Sequence, residues 1–403
     1  MRVIRHGGIA YARALRWALP APVSAAPLGQ ARACPQLAIA RLDEALPGAF
    51  DGLAFDEDCT QLTITRPETG RDLPVMVWIH GGSYESGAGD MALFDPERLV
   101  AEQGVIVVSV SYRLGLFGWL GHARSPANLG LFDLIAALNW LRAHIADYGG
   151  DPGNITLFGQ SSGGDAIARL MVAEGAQGLF RRAIIQSAPL ELQDRAEALR
   201  AVMRREVDRL PDGATTAQVL AVQAGLRRRL MRFGLRGFMP FGPEHGASPL
   251  PAREVLEAAF RAAAPSIDLL IGHTRDEAAL FLPPARGLAR LADPARRLAV
   301  GALTRRLYAG PARRFAARHR AAGGQAARFV IDWPGGALGR AHLGELPLLF
   351  PGPAWIGSPL VPDGMGLAEL TRTGAPLRAL WAGFARDGRV GESLPGVIRL
   401  SAA

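Results

Sequence analysis

The run Ile155-Thr-Leu-Phe-Gly159-Gln160-Ser161-Ser162-Gly163-Gly164 leads an apolar strand pattern straight into a G-x-S-x-G turn and on into a helix. A strand-to-helix turn this sharp forces its central residue into an unfavourable backbone conformation, and only small neighbours such as Gly159 and Gly163 permit the close packing around it. The serine at the apex, Ser161, is thereby presented to substrate as a nucleophile. A bare G-x-S-x-G is common by chance; its position directly after a strand gives it weight here. A second run, Val75-Met-Val-Trp-Ile-His80-Gly81-Gly82-Ser83, is another apolar strand ending in a glycine-rich loop. There the N–H groups of Gly82 and Ser83 can turn inward and, with the N–H of Ser162, stabilise a developing oxyanion at ~3 kcal/mol per donor. Serine is a poor nucleophile by itself, so the same chemistry demands an imidazole to take its proton and a buried carboxylate to orient that imidazole. Eight histidines are present, and spacing alone does not choose among them.

A nucleophile held on such a turn needs a rigid sheet beneath it. From about residue 60 onward, short β-branched runs alternate with longer helical patterns, which predicts an α/β fold with a mostly parallel sheet covered by helices. The expected strands are 62–65, 75–79, 105–111, 155–158, 183–186 and 269–271, with 329–332 and 397–400 extending the sheet late in the chain. A helix is expected over 131–148, where Ile135, Leu138, Leu141 and Ile145 recur at helical spacing and Gly149-Gly150 stops the run. Residues 190–265 and 283–325 carry helical periodicity, many Arg and few strand signals, and read as helical inserts over the sheet of a single domain spanning 1–403. Within the first insert, 223–239 sets Leu226, Leu230 and Phe233 on one face among five Arg. A helix packed on the core through that stripe is the plain reading, and a mobile or membrane-surface cover is the other.

Composition limits the chemistry further. The chain has 403 residues, 49% of them apolar and 20% charged, enough to bury a large core. All 45 basic residues are Arg, which excludes Schiff-base and P-loop lysine chemistry. The net charge of +8 comes from Arg scattered over most helices rather than focused in a stripe, and no aromatic interleaving accompanies it. No nucleic-acid partner is expected. Two cysteines, Cys34 and Cys59, cannot build a four-thiolate metal site, and neither a metal nor a cofactor is expected. Arg13 and Arg16 interrupt what would be the apolar core of a leader, so the N-terminus reads as part of the mature fold. The apolar run around 105–110 is short of the ~20 residues that span a bilayer, so no integral membrane segment and a cytoplasmic protein are expected. Oligomeric state is not legible.

The chain resembles the type-B carboxylesterases, the group that includes cholinesterases and bacterial para-nitrobenzyl esterases. Glu57-Asp58-Cys59 is similar to the family's EDC segment, His80-Gly81-Gly82 to its oxyanion loop, and Ser111-Tyr-Arg-Leu-Gly115 to NYRLG. Asn128-Leu-Gly130-Leu-Phe-Asp133 resembles GNxGLxD, Gly149-Gly-Asp-Pro152 resembles GGDP, and Ala183-Ile-Ile-Gln-Ser187 resembles AIxQS. Gly8-Ile-Ala-Tyr-Ala12 is similar to GIPYA, which implies that the family's opening hairpin is missing here. The resemblance implies an α/β-hydrolase fold and a small-molecule ester substrate. It also implies two partners for Ser161: Glu277, in Asp276-Glu277 after a strand-like run, as the orienting acid, and His342, in a stretch similar to HxxE, as the general base. Ser187 is implied to bond near Glu277 and hold its carboxylate.

Three departures qualify the resemblance. Gln160 stands where cholinesterases carry glutamate beside the nucleophile, which disfavours choline esters. Ser83 occupies the place of a third oxyanion glycine, and Ala278 that of the glycine after the acid. By resemblance, Cys34 and Cys59 match a pair bonded in secreted relatives, while a cytosolic chain would keep them as thiols. Three readings follow. The first is an ester hydrolase working through an acyl-serine. The second is an acyl-transferring or lactone-forming enzyme on the same triad. The third is a non-catalytic interaction protein on the same fold, against which an intact Ser, Glu and His set argues.

Overall fold

Each β-branched run identified above forms a strand of one sheet in the computed structural model, which describes residues 1–23, 30–38, 48–194, 196–282 and 293–402. The strands are β1 (Val3–Ala10), β2 (Gln61–Pro67), β3 (Leu73–Ile79), β4 (Ile106–Val110), β5 (Gly150–Gln160), β6 (Arg182–Gln186), β7 (Asp268–Thr274), β8 (Ala326–Ile331) and β9 (Ile398–Ala402). They lie in the order β1-β2-β4-β3-β5-β6-β7-β8-β9. Pairing is parallel from β4 through β8 and antiparallel at both ends. This is the α/β-hydrolase arrangement the motifs imply.

β1 was not expected. It is an edge strand whose Arg5-His6-Gly7-Gly8 stretch breaks both alternation and β-propensity, and its register shifts between His6 and Ile9 against β2. Edges tolerate such sequences because one side of the strand needs no partner.

Alternate residues of the central strands feed two cores. Val75, Val77, Ile155, Leu157 and Ile185 face one side, and Met76, Trp78, Phe158, Ile184 and Leu270 face the other. The covering helices are α1 (Glu97–Gln103), α2 (Leu129–His144), α3 (Ser162–Leu170), α4 (Glu197–Val207), α5 (Thr216–Leu230), α6 (Arg253–Ala263), α7 (Asp293–Thr304), α8 (Gly310–Ala321) and α9 (Leu367–Asp387). α2 and α3 pack on the first face and α9 on the second, where Trp78 meets Phe158 and Phe350 at ring separations of 5.0 and 4.9 Å. The stretch Leu129–Tyr148 is long and apolar enough to cross a membrane, although Asp133, Asn139 and Arg142 interrupt any continuous apolar run within it. Its window is 61% buried, with Leu131, Leu134, Leu138 and Leu141 in the core, so its hydrophobicity has a use inside the fold.

α4, α5 and α6 lie within the expected insert 190–265 and join the first core through Leu199, Met203, Val219, Leu226, Leu230 and Phe260. α7 and α8, joined by a π-helical turn at Arg305–Ala309, lie within the second; its residues 283–292 fall outside the described residues. Cys34 and Cys59 are both buried and unbonded.

The register of the parallel strands decides where the chemistry sits. Ile79 pairs with Gly159, Gln160 with Gln186, and Gln186 with Gly272. The carboxyl ends of β3, β5, β6 and β7 are therefore level, and the segments leaving them emerge side by side, where open α/β sheets place their sites.

Candidate active site

Ser161 follows the last residue of β5 and is the N-cap of α3, with φ 57° and ψ −125°. Such a conformation costs a non-glycine residue roughly 1–3 kcal/mol. Its N–H donates to the Gln186 carbonyl at 2.8 Å and its carbonyl accepts from the Asp165 N–H at 3.0 Å, so the strain is held by bonds to strand and helix alike. Two residues further, a Cβ at Gly163 would stand 2.1 Å from the Ile79 carbonyl oxygen. Glycine is thus required for α3 to approach the end of β3.

The loop leaving β3 turns inward through Gly82 at φ 116°, Ser83 at φ 59° and Tyr84 at φ 61°. The Ser83 side chain does not prevent the turn, although it stands in the left-handed region that glycine adopts without cost. The loop is tied down by its neighbours: Glu85 and Ser86 N–H groups reach the Gly82 carbonyl at 3.0 Å, Tyr84 N–H reaches Ser162 Oγ at 3.2 Å, and Tyr112 Oη reaches the His80 carbonyl at 2.8 Å. The N–H groups of Gly82, Ser83 and Ser162 meet no acceptor among the described residues.

Glu277 lies in the turn Glu277–Ala279 just after β7, and His342 in the segment between β8 and α9. His342 Nδ1 contacts Glu277 Oε2, and both side chains are buried. Glu277 Oε1 accepts from the Thr274 N–H at 2.6 Å, and the Glu277 carbonyl from the His342 N–H at 3.3 Å. Burial alone would raise the Glu277 carboxyl, but the imidazole beside it, and more weakly the Ser187 hydroxyl, hold it below the usual range. The Ser187 hydroxyl nevertheless finds no partner at hydrogen-bonding geometry, so its contribution is that of a nearby dipole.

With Nδ1 turned to the carboxylate, His342 Nε2 is the acceptor, and it sits 3.0 Å from Gln160 Nε2. The ring is packed between Phe281 and Tyr308, at centroid distances of 5.5 and 5.4 Å. Ser161 and His342 line one cavity of about 310 Å³ together with Gly82, Ser83 and Gln160. No Ser161–His342 hydrogen bond is formed; Gln160 engages the imidazole instead. Hydrogen bonds of this kind often close only when substrate is bound.

All the residues expected at the site converge on one sheet edge. Three others do so without having been anticipated. Glu345, fully buried, accepts from Gln186 Nε2 at 3.0 Å and is pushed up to about 7 by burial and then by the charge of Glu277. It stood in plain view in the HxxE stretch, but nothing in the sequence assigned it an environment. Arg227 and Glu85 line the cavity, the first placed there by the helical phase of α5 and the second by the loop leaving β3.

The sequence over residues 2–292 matches the model of the carboxylesterase family. The chain belongs to the carboxylesterase family. It is 36% identical to a probable N-octanoylanthranilate hydrolase of Rhodococcus erythropolis over 96% of this chain and 89% of that one. It is 38% identical to the para-nitrobenzyl esterase of Bacillus subtilis over 57% of this chain, a match that spans about half of that relative (49%). Among solved structures, a thermophilic para-nitrobenzyl esterase superposes with a TM-score of 0.75 at 26% identity, covering 99% of this chain and 94% of the other. A Geobacillus stearothermophilus carboxylesterase gives 0.73 at 26%, covering 98% and 90%. This carboxylesterase-family chain is accordingly a serine hydrolase of carboxylic esters with an α/β-hydrolase sheet.

Proposed function

We propose that the enzyme cleaves its substrate through an acyl-serine formed on Ser161, with His342 as general base and Glu277 as the acid that orients it. In the first step His342 Nε2 takes the Ser161 Oγ proton as Oγ attacks the acyl carbon. The carbonyl oxygen becomes an oxyanion between the N–H groups of Gly82, Ser83 and Ser162. The imidazolium then gives its proton to the departing oxygen, and water repeats the sequence to release the acid. The observation that carries the reading is the pairing of His342 Nδ1 with a buried Glu277, because it leaves Nε2 as the one basic nitrogen facing the cavity that Ser161 opens into.

Cavity size and lining suit a small substrate with an apolar acyl chain: about 310 Å³, walled by Phe50, Met91, Phe94 and Leu280. The relative named for N-octanoylanthranilate favours medium-length chains, and it adds N-acyl bonds to esters as cleavable linkages.

Fluorophosphonate labelling followed by peptide mapping tests the nucleophile, and nitrophenyl esters of increasing acyl length test the pocket. Label on Ser161, and a rate maximum at medium chain length, are expected. Ser161→Ala should lower kcat by about a thousandfold or more, and Ser187→Ala only severalfold. Label on another serine, or equal losses in the two variants, would reject the division of roles. Adding an alcohol acceptor separates hydrolysis from acyl transfer by its products.

A further inference from the structure

One wall of the cavity carries a charge that hydrolysis itself does not use. The capping box at Thr215 and Gln218 starts α5, and the buried stripe Val219, Gln223, Leu226 and Leu230 fixes its rotation. That phase turns Arg227 into a cavity otherwise lined largely by Phe50, Met91, Phe94, Phe238 and Phe281. Among the described lining residues it is the one permanent cation.

Among the described residues, its surroundings cancel the charge only in part. Arg227 Nη1 donates to the Ala38 carbonyl, a neutral acceptor, at 2.8 Å. Among the described residues its ion-pair partner is Glu85, with Oε1 4.0 Å from Arg227 Nε and no hydrogen bond between them. The Glu85 side chain is 6% exposed and that of Arg227 39%, so of the two the guanidinium offers most of the charged surface to a molecule in the cavity. Burial pushes the Glu85 carboxyl up to about 7, against the pull of Arg227 and Gln223, so at neutral pH it carries only part of a negative charge. Beside the nucleophile, Gln160 contributes an amide and no compensating carboxylate. A guanidinium that is part-exposed at an apolar wall and has only a distant carboxylate partner can take an anionic ligand group by a charge-assisted, often bidentate bond.

We propose that Arg227 is an anion subsite of this cavity, selecting substrates that carry a carboxylate on one side of the scissile bond and an apolar acyl chain on the other. The assignment rests on the hydrolase reading and narrows its substrate class. Arg227 touches substrate without entering the proton transfers, so its loss acts chiefly on KM.

The test compares 2-(octanoyloxy)benzoate with its methyl ester, following octanoate release, in the wild type, Arg227→Gln and Arg227→Lys. The wild type should favour the acid by kcat/KM. That preference should fall about tenfold in Arg227→Gln, mainly through KM, and recover in part in Arg227→Lys, which keeps the charge but not the fork. A preference that moves less than about threefold in Arg227→Gln, or a wild type that favours the methyl ester, overturns the assignment. If the wild type cleaves nitrophenyl octanoate but neither benzoate probe, the anion subsite alone is wrong. Failure on all three substrates would overturn the hydrolase reading beneath it.

Discussion

An amide, not a carboxylate, sits against the basic nitrogen of His342. Gln160 Nε2 donates into the lone pair that, in the proposed mechanism, takes the Ser161 proton, and so competes weakly with the serine for it. Because an amide is neutral, it lends nothing to the imidazolium that forms in the transition state. Stabilisation of that cation is left to Glu277, whose carboxylate stays ionised despite complete burial. Replacing Gln160 with glutamate would set a second negative charge beside the ring and favour its protonated form. The acid limb of the kcat/KM profile in Gln160→Glu should therefore move to higher pH, by about one unit, while the alkaline limb stays in place. A pH series with a nitrophenyl ester reads this directly. An unmoved acid limb would mean that residue 160 leaves the imidazole in the working enzyme.

At the scale of elements, the motif stretches turn out to be joints between segments rather than isolated signatures. Arg113 of the Ser111–Gly115 stretch and Asp133 of α2 form a bidentate pair, Nη2 to Oδ1 at 2.6 Å and Nε to Oδ2 at 2.8 Å, with both side chains out of water. The remaining arm of Arg113 reaches the carbonyls of Leu15 and Ala18 at 3.2 and 2.6 Å, binding the N-terminal segment to the sheet edge. Asp133→Ala leaves that guanidinium buried and unpaired. It should destabilise the protein by about 3–5 kcal/mol in urea unfolding, far more than a surface pair would. A loss below about 1 kcal/mol would show that water reaches Arg113.

The same joints explain what could be read in advance. The parallel strands β3 to β8 were legible because buried parallel strands need continuous apolar, largely β-branched runs, and Ser161 because its turn needs glycines at 159 and 163. Glu277 and His342 were legible only through resemblance, since their meeting depends on where β7 and β8 deliver them. β1 hid behind edge-strand tolerance. Arg227 was one of five Arg in a segment read for its apolar stripe, and its cavity exists only once α5 docks over the sheet.

For the whole molecule, the two buried carboxyls beside His342 tie stability to pH with opposite signs. Glu277 is held low, so its contribution is present above the ordinary carboxylate range and is lost as pH falls. Glu345 runs the other way, because its folded value of about 7 lies above the ordinary 4.5. Its contribution is complete below about 4.5 and is lost as pH rises through about 7, since the unfolded chain ionises first. Across that window it removes stability on the order of 3 kcal/mol. Glu345→Gln keeps an acceptor for Gln186 and abolishes the titration. An amide there leaves the Oε2 position, which has no partner, equally unsatisfied at every pH, so any fixed cost cancels when two pH values are compared. The variant should therefore gain on the wild type between pH 4.5 and 8.5, by roughly that amount, in denaturant unfolding at each pH. Parallel stability curves for the two proteins would show that Glu345 stays ionised in the fold, and that the pocket beneath His342 holds two negative charges instead of one.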